Sequence, residues 1–104
     1  MSLARNIADA GHRLIAFGSV GSVGGTPLSL FNLTYTNNGS YKHKFTFINA
    51  PDDANYVVVA NPEKLGSYNQ VVTLNVRETT YFELWQSNTG DAQDTDGVHV
   101  AVFA

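Results

Sequence analysis

Cysteine is absent from this chain of 104 residues. Disulfides, thiolate metal sites and a cysteine nucleophile are therefore excluded, and the fold must be held by its core. A chain of this length forms one domain and hides roughly two-thirds of the surface that its unfolded form exposes, enough for a core without staples. Basic residues are scarce, with six Lys and Arg spread along the sequence and a net charge of −3. No basic stripe is available for phosphate backbones, and nucleic-acid binding is not expected. Long apolar runs are missing as well. The longest is about five residues, against roughly twenty needed to cross a bilayer as a helix, and no charged-then-apolar leader opens the chain. Neither membrane insertion nor export by a signal peptide is expected.

What is present is alternation. In the stretch from Ser40 to Ala60, Tyr41, His43, Phe45 and Phe47 alternate with Lys42, Lys44 and Thr46. A period of two puts the rings on one face of a strand and the cations on the other. Asn49-Ala50-Pro51-Asp52-Asp53 supplies turn chemistry, since proline fixes φ and Asn and Asp side chains bond to nearby backbone. Asn55 to Ala60 follows as a second strand, whose apolar run Tyr56-Val57-Val58-Val59 predicts burial on both faces.

Ser2 to His12 carries the helical pattern of the chain. Ser2 can cap it, Leu3, Ile7 and Ala10 fall at helical spacing, and Gly11 stands where a left-handed residue would end it. About nine residues are marginal as an isolated helix, so its apolar stripe must pack on its own β domain or on copies of itself. Arg13 to Phe17 is a first strand, ended by Gly18. Gly18 to Pro27, rich in glycine and serine, is expected to be a loop or arm. Leu28 to Thr36 alternates as one strand, with Leu28 and Leu30 on one side and Phe31, Leu33 and Tyr35 on the other. Asn38-Gly39 then predicts a tight hairpin back onto the Tyr41 strand, because both residues accept positive φ. Asn61 to Ser67 is a loop. Val71 to Val76 and Thr79 to Gln86 are strands joined by Arg77-Glu78, Ser87 to Gly97 is a polar acidic loop, and Val98 to Ala104 alternates to its last residue.

These elements predict an all-β fold, an antiparallel β-sandwich of about seven strands, with an N-terminal helix over 1–12 for oligomerisation or docking and the β domain over 13–104. Asn32-Leu33-Thr34 and Asn38-Gly39-Ser40 match the N-glycosylation pattern, but ordinary strand and turn polar residues account for both.

Four blocks in order carry a resemblance. They are Asn38-Gly39-Ser40-Tyr41 leading to Phe45 and Phe47, then Pro51-Asp52-Asp53-Ala54-Asn55-Tyr56-Val57-Val58, then Thr79-Thr80-Tyr81-Phe82-Glu83-Leu84, and the closing Val98-His99-Val100-Ala101-Val102-Phe103-Ala104. Over roughly residues 30 to 104 the chain resembles the small β domain at the C-terminus of many tailed-bacteriophage tail fibres and tail spikes. The resemblance implies a virion protein, a homotrimer that meets a host surface glycan or protein and carries no catalytic residue. Such domains commonly follow a long shaft, whereas here a helix and a glycine-rich arm precede. That setting implies a small fibre, or a knob on tail or capsid, with Leu3, Ile7 and Ala10 gathered at a threefold axis or docked on other virion proteins. A capsid decoration or tail-cement protein is the alternative.

Candidate chemistry is sparse. Asp91, Asp94 and Asp96, followed by Gly97, could surround a hard cation, but the spacing misses the EF-hand pattern and an acidic solvated turn accounts for it better. His12, His43 and His99 are far apart, and only a trimer axis could bring three imidazoles onto one transition metal. No metal or cofactor is expected. Glu78 and Glu83 sit near one strand, with Glu83 expected to face solvent, and no nucleophile frame accompanies the Ser, His and Asp residues. An enzyme is not expected. The aromatics suit recognition better. Tyr68 could stack on a sugar while Asn69, Gln70, Gln86 and Asn88 bond its hydroxyls, whereas Trp85 is expected in the core. The loops at Ser67 to Gln70 and Ser87 to Gly97, with Tyr68, Asn69, Gln70, Asn88, Asp91 and Asp94, are the expected recognition surface.

Overall fold

The computed structural model describes residues 13–22, 27–37, 42–62, 70–88 and 96–104. Eight strands run through them: β1 (Leu14–Ser22), β2 (Pro27–Phe31), β3 (Leu33–Asn37), β4 (Lys42–Phe47), β5 (Val57–Pro62), β6 (Gln70–Arg77), β7 (Tyr81–Asn88) and β8 (Asp96–Phe103). They form two four-stranded sheets, here sheet A in the order β2-β1-β8-β5 and sheet B in the order β3-β4-β7-β6, with every paired neighbour antiparallel. The expected all-β sandwich is present, with eight strands rather than seven. The helix expected over Ser2 to His12 lies outside the described residues.

The core lies between the sheets and follows from period two. Ala16 and Val20 from β1 and Val98, Val100 and Val102 from β8 are buried on sheet A, facing Leu33, Phe45, Phe47, Phe82 and Leu84 of sheet B. Phe82 is the hub of the rings, stacked on Phe45 at 5.3 Å and tilted against Phe47 at 5.8 Å. Lys42, Lys44 and Thr46 take the outer face of β4, as the alternation requires. The pairing of β3 with β4, from Leu33↔Phe47 to Asn37↔His43, is the expected fold-back, while Asn38-Gly39 itself lies outside the described residues.

Several expectations fail, for reasons of packing. Gly18 does not end the first strand, which continues to Ser22. A Cβ at Gly18 would stand 3.0 Å from Leu30, 3.2 Å from Phe45 and 3.3 Å from Val100, so this glycine lets the sheets close on each other rather than breaking β1. The single strand expected from Leu28 to Thr36 is two strands in different sheets. They are divided at Asn32, which adopts φ 59°, a left-handed conformation that Asn tolerates better than most residues. The Asn32 amide donates to Ile15 O at 3.1 Å and Asn49 O at 3.0 Å, and its Oδ1 accepts from Asn49 N at 2.7 Å. This one side chain ties β1 and the β4–β5 connection to the crossing point. Both parities of that stretch are apolar because Leu30 faces the core from sheet A and Leu33 and Tyr35 face it from sheet B.

The valine run of β5 is not buried on both faces; it is half-buried along an edge strand. Val58 and Ala60 pack on the core, while Val57 and Val59 lie in register with Phe103 and Ala101 on the outer face. Asn61 and Pro62 extend this strand instead of opening the loop, and an edge position is one where proline's missing donor costs least. The connection after β6 is Glu78-Thr79-Thr80, so the last strand of that hairpin starts at Tyr81 rather than Thr79.

Tyr56 closes the sandwich at that turn. Its ring packs edge-on against Phe47 at 5.1 Å, and its hydroxyl lies 2.7 Å from Glu78 O and 3.0 Å from Tyr81 O. Arg77 donates to Tyr56 O at 3.2 Å. Burial, opposed by the nearby Arg77 charge, pushes the Tyr56 hydroxyl from its ordinary 10.0 up to about 12.

Candidate recognition end and outer faces

The strand register sorts the connections by end. In sheet A, Ser22 lies opposite Asp96, Pro27 opposite Val20 and Pro62 opposite Val98. In sheet B, Asn37 lies opposite His43, Lys42 opposite Trp85 and Gln70 opposite Asn88. The strand termini flanking residues 23–26, 38–41, 63–69 and 89–95 therefore all belong to one end of the sandwich. A bond across the core joins the two sheets there, from Gln86 Nε2 to Gly97 O at 3.0 Å. The opposite end holds Asn32, the Tyr56 closure and the paired residues Arg13 and Ala104, which exchange backbone bonds of 2.9 Å in both directions.

A buried polar chain lies just beneath the loop-bearing end. His43 and Gln86 are both fully buried. Tyr35 Oη is 2.9 Å from His43 Nδ1, and His43 Nε2 is 2.7 Å from Gln86 Oε1. Because Gln86 spends its amide donor on Gly97 O, its oxygen faces the imidazole, so Nε2 carries the proton and Nδ1 accepts from the Tyr35 hydroxyl. Each atom named in this chain has a partner, which is the condition for a buried network to rigidify what it supports. Gln86, weighed as a sugar contact, and His43, which only a trimer axis could have made a metal ligand, both face the interior. His99 is on the other sheet, exposed on its outer face, with Ser19 Oγ 2.8 Å from its Nδ1. Among the described residues no group of three His, Cys, Asp or Glu comes together to hold a metal.

Of the residues expected to bind a receptor, Gln70 and Asn88 are brought together as cross-strand partners at the loop-bearing end. The backbone of Asp96, the third of the acidic residues, lies at the same end opposite Ser22. Tyr68, Asn69, Asp91 and Asp94 lie outside the described residues, as do Leu3, Ile7 and Ala10. Residues 63–69 lead into β6 at Gln70 and residues 89–95 leave β7 at Asn88, so the Gln70–Asn88 pair stands where the two connections meet sheet B.

The outer face of sheet B carries what alternation alone did not reveal. Trp85 is not in the core. It shares parity with Tyr81 and Glu83, opposite to the inward Phe82, Leu84 and Gln86, and is half-buried on the outside. The Lys42 ammonium lies over its ring at 4.7 Å, and the Lys44 ammonium lies over Tyr81 at 4.4 Å. Glu83 does not face solvent; it is 6 % exposed. It stands in register between Lys44 and Val76 and accepts from Trp85 Nε1 at 2.7 Å. These contacts make a flat, self-paired surface in which cations cover the ring faces, unlike an open stacking platform. A signal for it exists in the sequence: Lys42 and Lys44 belong outside, and the parity of Trp85 with Glu83 puts it beside them.

Comparison with protein-family models, with curated proteins and with solved structures gives no match to this chain.

Proposed function

We propose that the protein is a non-enzymatic adhesin module of a bacteriophage virion, like the small terminal domains of tail fibres, which attaches the particle to a glycan or protein on the host surface. The observation that supports this reading most is the division of the sandwich into two ends. One collects the four loop-bearing strand termini, and the other holds Arg13 paired to Ala104. A domain mounted through its terminal end presents the opposite loops outward, and loops on a rigid sheet carry most binding functions. The polar character of those loops, with Tyr68, Asn69, Asp91 and Asp94, suits contact with a hydrated surface. Assembly as a homotrimer on other virion proteins, with no cofactor and no membrane insertion, completes the reading.

The isolated protein is expected to be retained by host cells, and by extracted envelope glycans as well when the receptor is a glycan. Retention by emptied virions alone, with neither cells nor glycans, would overturn adhesion and favour the alternative of a capsid decoration or tail-cement protein. That alternative has one observation of its own, the exposure of Leu14, Phe17 and Phe31 on a single sheet face. A monomeric mass by light scattering would contradict the trimer while leaving adhesion standing.

A further inference from the structure

At the loop-bearing end the two sheets are joined through one line of side chains. Tyr35 on β3, His43 on β4 and Gln86 on β7 follow one another at 2.9 and 2.7 Å, and Gln86 reaches across to Gly97 O on β8 at 3.0 Å. Gly97 in turn lies so close to β1 that a Cβ there would stand 2.8 Å from Gly21 Cα. Five strands therefore meet along this line. β7 ends at Asn88 and β8 begins at Asp96, so Gln86 and Gly97 stand on the two strands that carry residues 89–95, one in each sheet. Their bond ties the two stems of that connection together.

The middle of the line is titratable. His43 is 0 % exposed, and an apolar interior disfavours the charged form of an imidazole. The neutral ring fits its neighbours, with Nε2–H donating to Gln86 Oε1 and Nδ1 accepting from the Tyr35 hydroxyl. A proton added at Nδ1 puts two hydrogens between that nitrogen and Tyr35 Oη, so the hydroxyl must turn away, and a full charge is left in the interior. Among the described residues, the charged side chains of the surrounding strands point elsewhere. β3 carries none. Lys42 and Lys44 lie over the outer rings of Trp85 and Tyr81, and Glu83 is bonded to Trp85 on that same outer face. His99 of β8 lies on the outer face of sheet A beside Ser19, while the inward Val98 and its partner Val20 on β1 are apolar and fully buried. The backbone of Asp96 lies at this end opposite Ser22, and substitution distinguishes its carboxylate from the imidazole.

We propose that Tyr35, His43, Gln86 and Gly97 form an acid-sensitive latch, which holds the ends of β7 and β8 together while His43 is neutral and releases them when His43 takes up a proton. The opened end binds that proton below about pH 6.5, the ordinary range of histidine, whereas the closed end resists it. Closure therefore loses up to about tenfold in its equilibrium constant for each pH unit below that point. For an adhesin this makes attachment weaken in acid. The latch does not rest on the adhesin reading, since its test needs no receptor.

Hydrogen exchange of the full chain at pH 7 and pH 5, corrected for intrinsic rates, reads the latch directly. Backbone amides around Gln86 and Val98 should lose about tenfold or more of their protection, while those around Tyr81 and Phe103, at the other ends of the same strands, should lose less. His43→Gln, which can still donate to Gln86 and takes up no proton, should abolish the loss, and Asp96→Asn should leave it in place. Unchanged protection from pH 7 to pH 5, an equal loss at both ends, or a loss that persists in His43→Gln or disappears in Asp96→Asn would overturn the proposal. Should His43→Gln fail to fold, the ring protons of His43 in the unsubstituted chain give a second reading. Their titration by NMR should run together with the loss of protection, and a ring that titrates at a different pH from that loss would count equally against the latch.

Discussion

Replacing Tyr56 with Phe removes one oxygen and leaves the ring packed on Phe47 and Phe82. The lost hydroxyl bonds Glu78 O at 2.7 Å and Tyr81 O at 3.0 Å. Those carbonyls belong to the β6–β7 hairpin; Tyr81 O keeps its bond from Glu78 N at 2.8 Å, while the phenyl ring offers Glu78 O nothing in return. A net bond is worth about 1 kcal/mol, and Glu78 O left short of a partner raises the cost to about 2 kcal/mol at neutral pH. In a domain of this size that lowers the melting temperature by roughly 8–16 °C. The pH dependence is a second signature. The folded hydroxyl titrates near about 12, above its ordinary 10.0. Its contribution is therefore fully present below pH 10 and is lost as pH rises through about 12, at most about 3 kcal/mol in total. Urea unfolding of both proteins from pH 8 to 12 isolates Tyr56, because the other tyrosines titrate in both. The advantage of the wild type should be constant to about pH 10 and then shrink. An advantage that stays constant to pH 12 would refute the placement of this hydroxyl in a buried closure.

Three further sets of substitutions test the frame. Asn32→Ala should cost about 1 kcal/mol more than Asn32→Gly in chemical denaturation, because both lose the same amide bonds but only alanine resists the left-handed backbone at φ 59°. Gly97→Ala should cost about 3 kcal/mol, since its Cβ would stand 2.8 Å from Gly21 Cα and closer still to Val20 O, which are backbone and cannot step aside. Gly18→Ala, whose neighbours are side-chain atoms, should cost less, and the reverse order would contradict the packing described. His43→Leu and Gln86→Leu should each cost about 2 kcal/mol by stranding the partner's polar atoms, while the double variant costs at least about 1 kcal/mol less than the sum. Strict additivity in thermal unfolding would show that the two are not one network.

Alternation makes most strands readable in advance, because each sheet buries one face and leaves the other wet: Lys42 to Phe47 and Val98 to Phe103 are assigned by period two alone. It fails where both faces of a strand are apolar or where the chain changes sheet. Val57 to Ala60 reads as doubly buried because the outside of sheet A is itself apolar. Leu28 to Thr36 reads as continuous because the φ of Asn32 leaves no trace in a hydrophobicity pattern. Gly18 reads as a stop because its role, close approach to Leu30 and Val100, exists only after the sheets have met. Size alone sends Trp85 to the core, although its neighbours Glu83 and Tyr81 already give its parity. For the recognition surface the sequence points to loops, and the register adds where they lead, placing the Gln70–Asn88 pair at the end opposite the Arg13–Ala104 pair.

Attachment through the loop-bearing end is tested most directly by measuring cell binding of full-length variants from the two ends, with their folds checked by thermal unfolding. Tyr68→Ala with Asn69→Ala should lower retention on host cells by about tenfold or more, the loss expected when one aromatic anchor of a small contact is removed. Thr79→Ala with Thr80→Ala, in the exposed turn at the opposite end, should leave it unchanged. Full binding by the first pair and loss in the second would contradict the account.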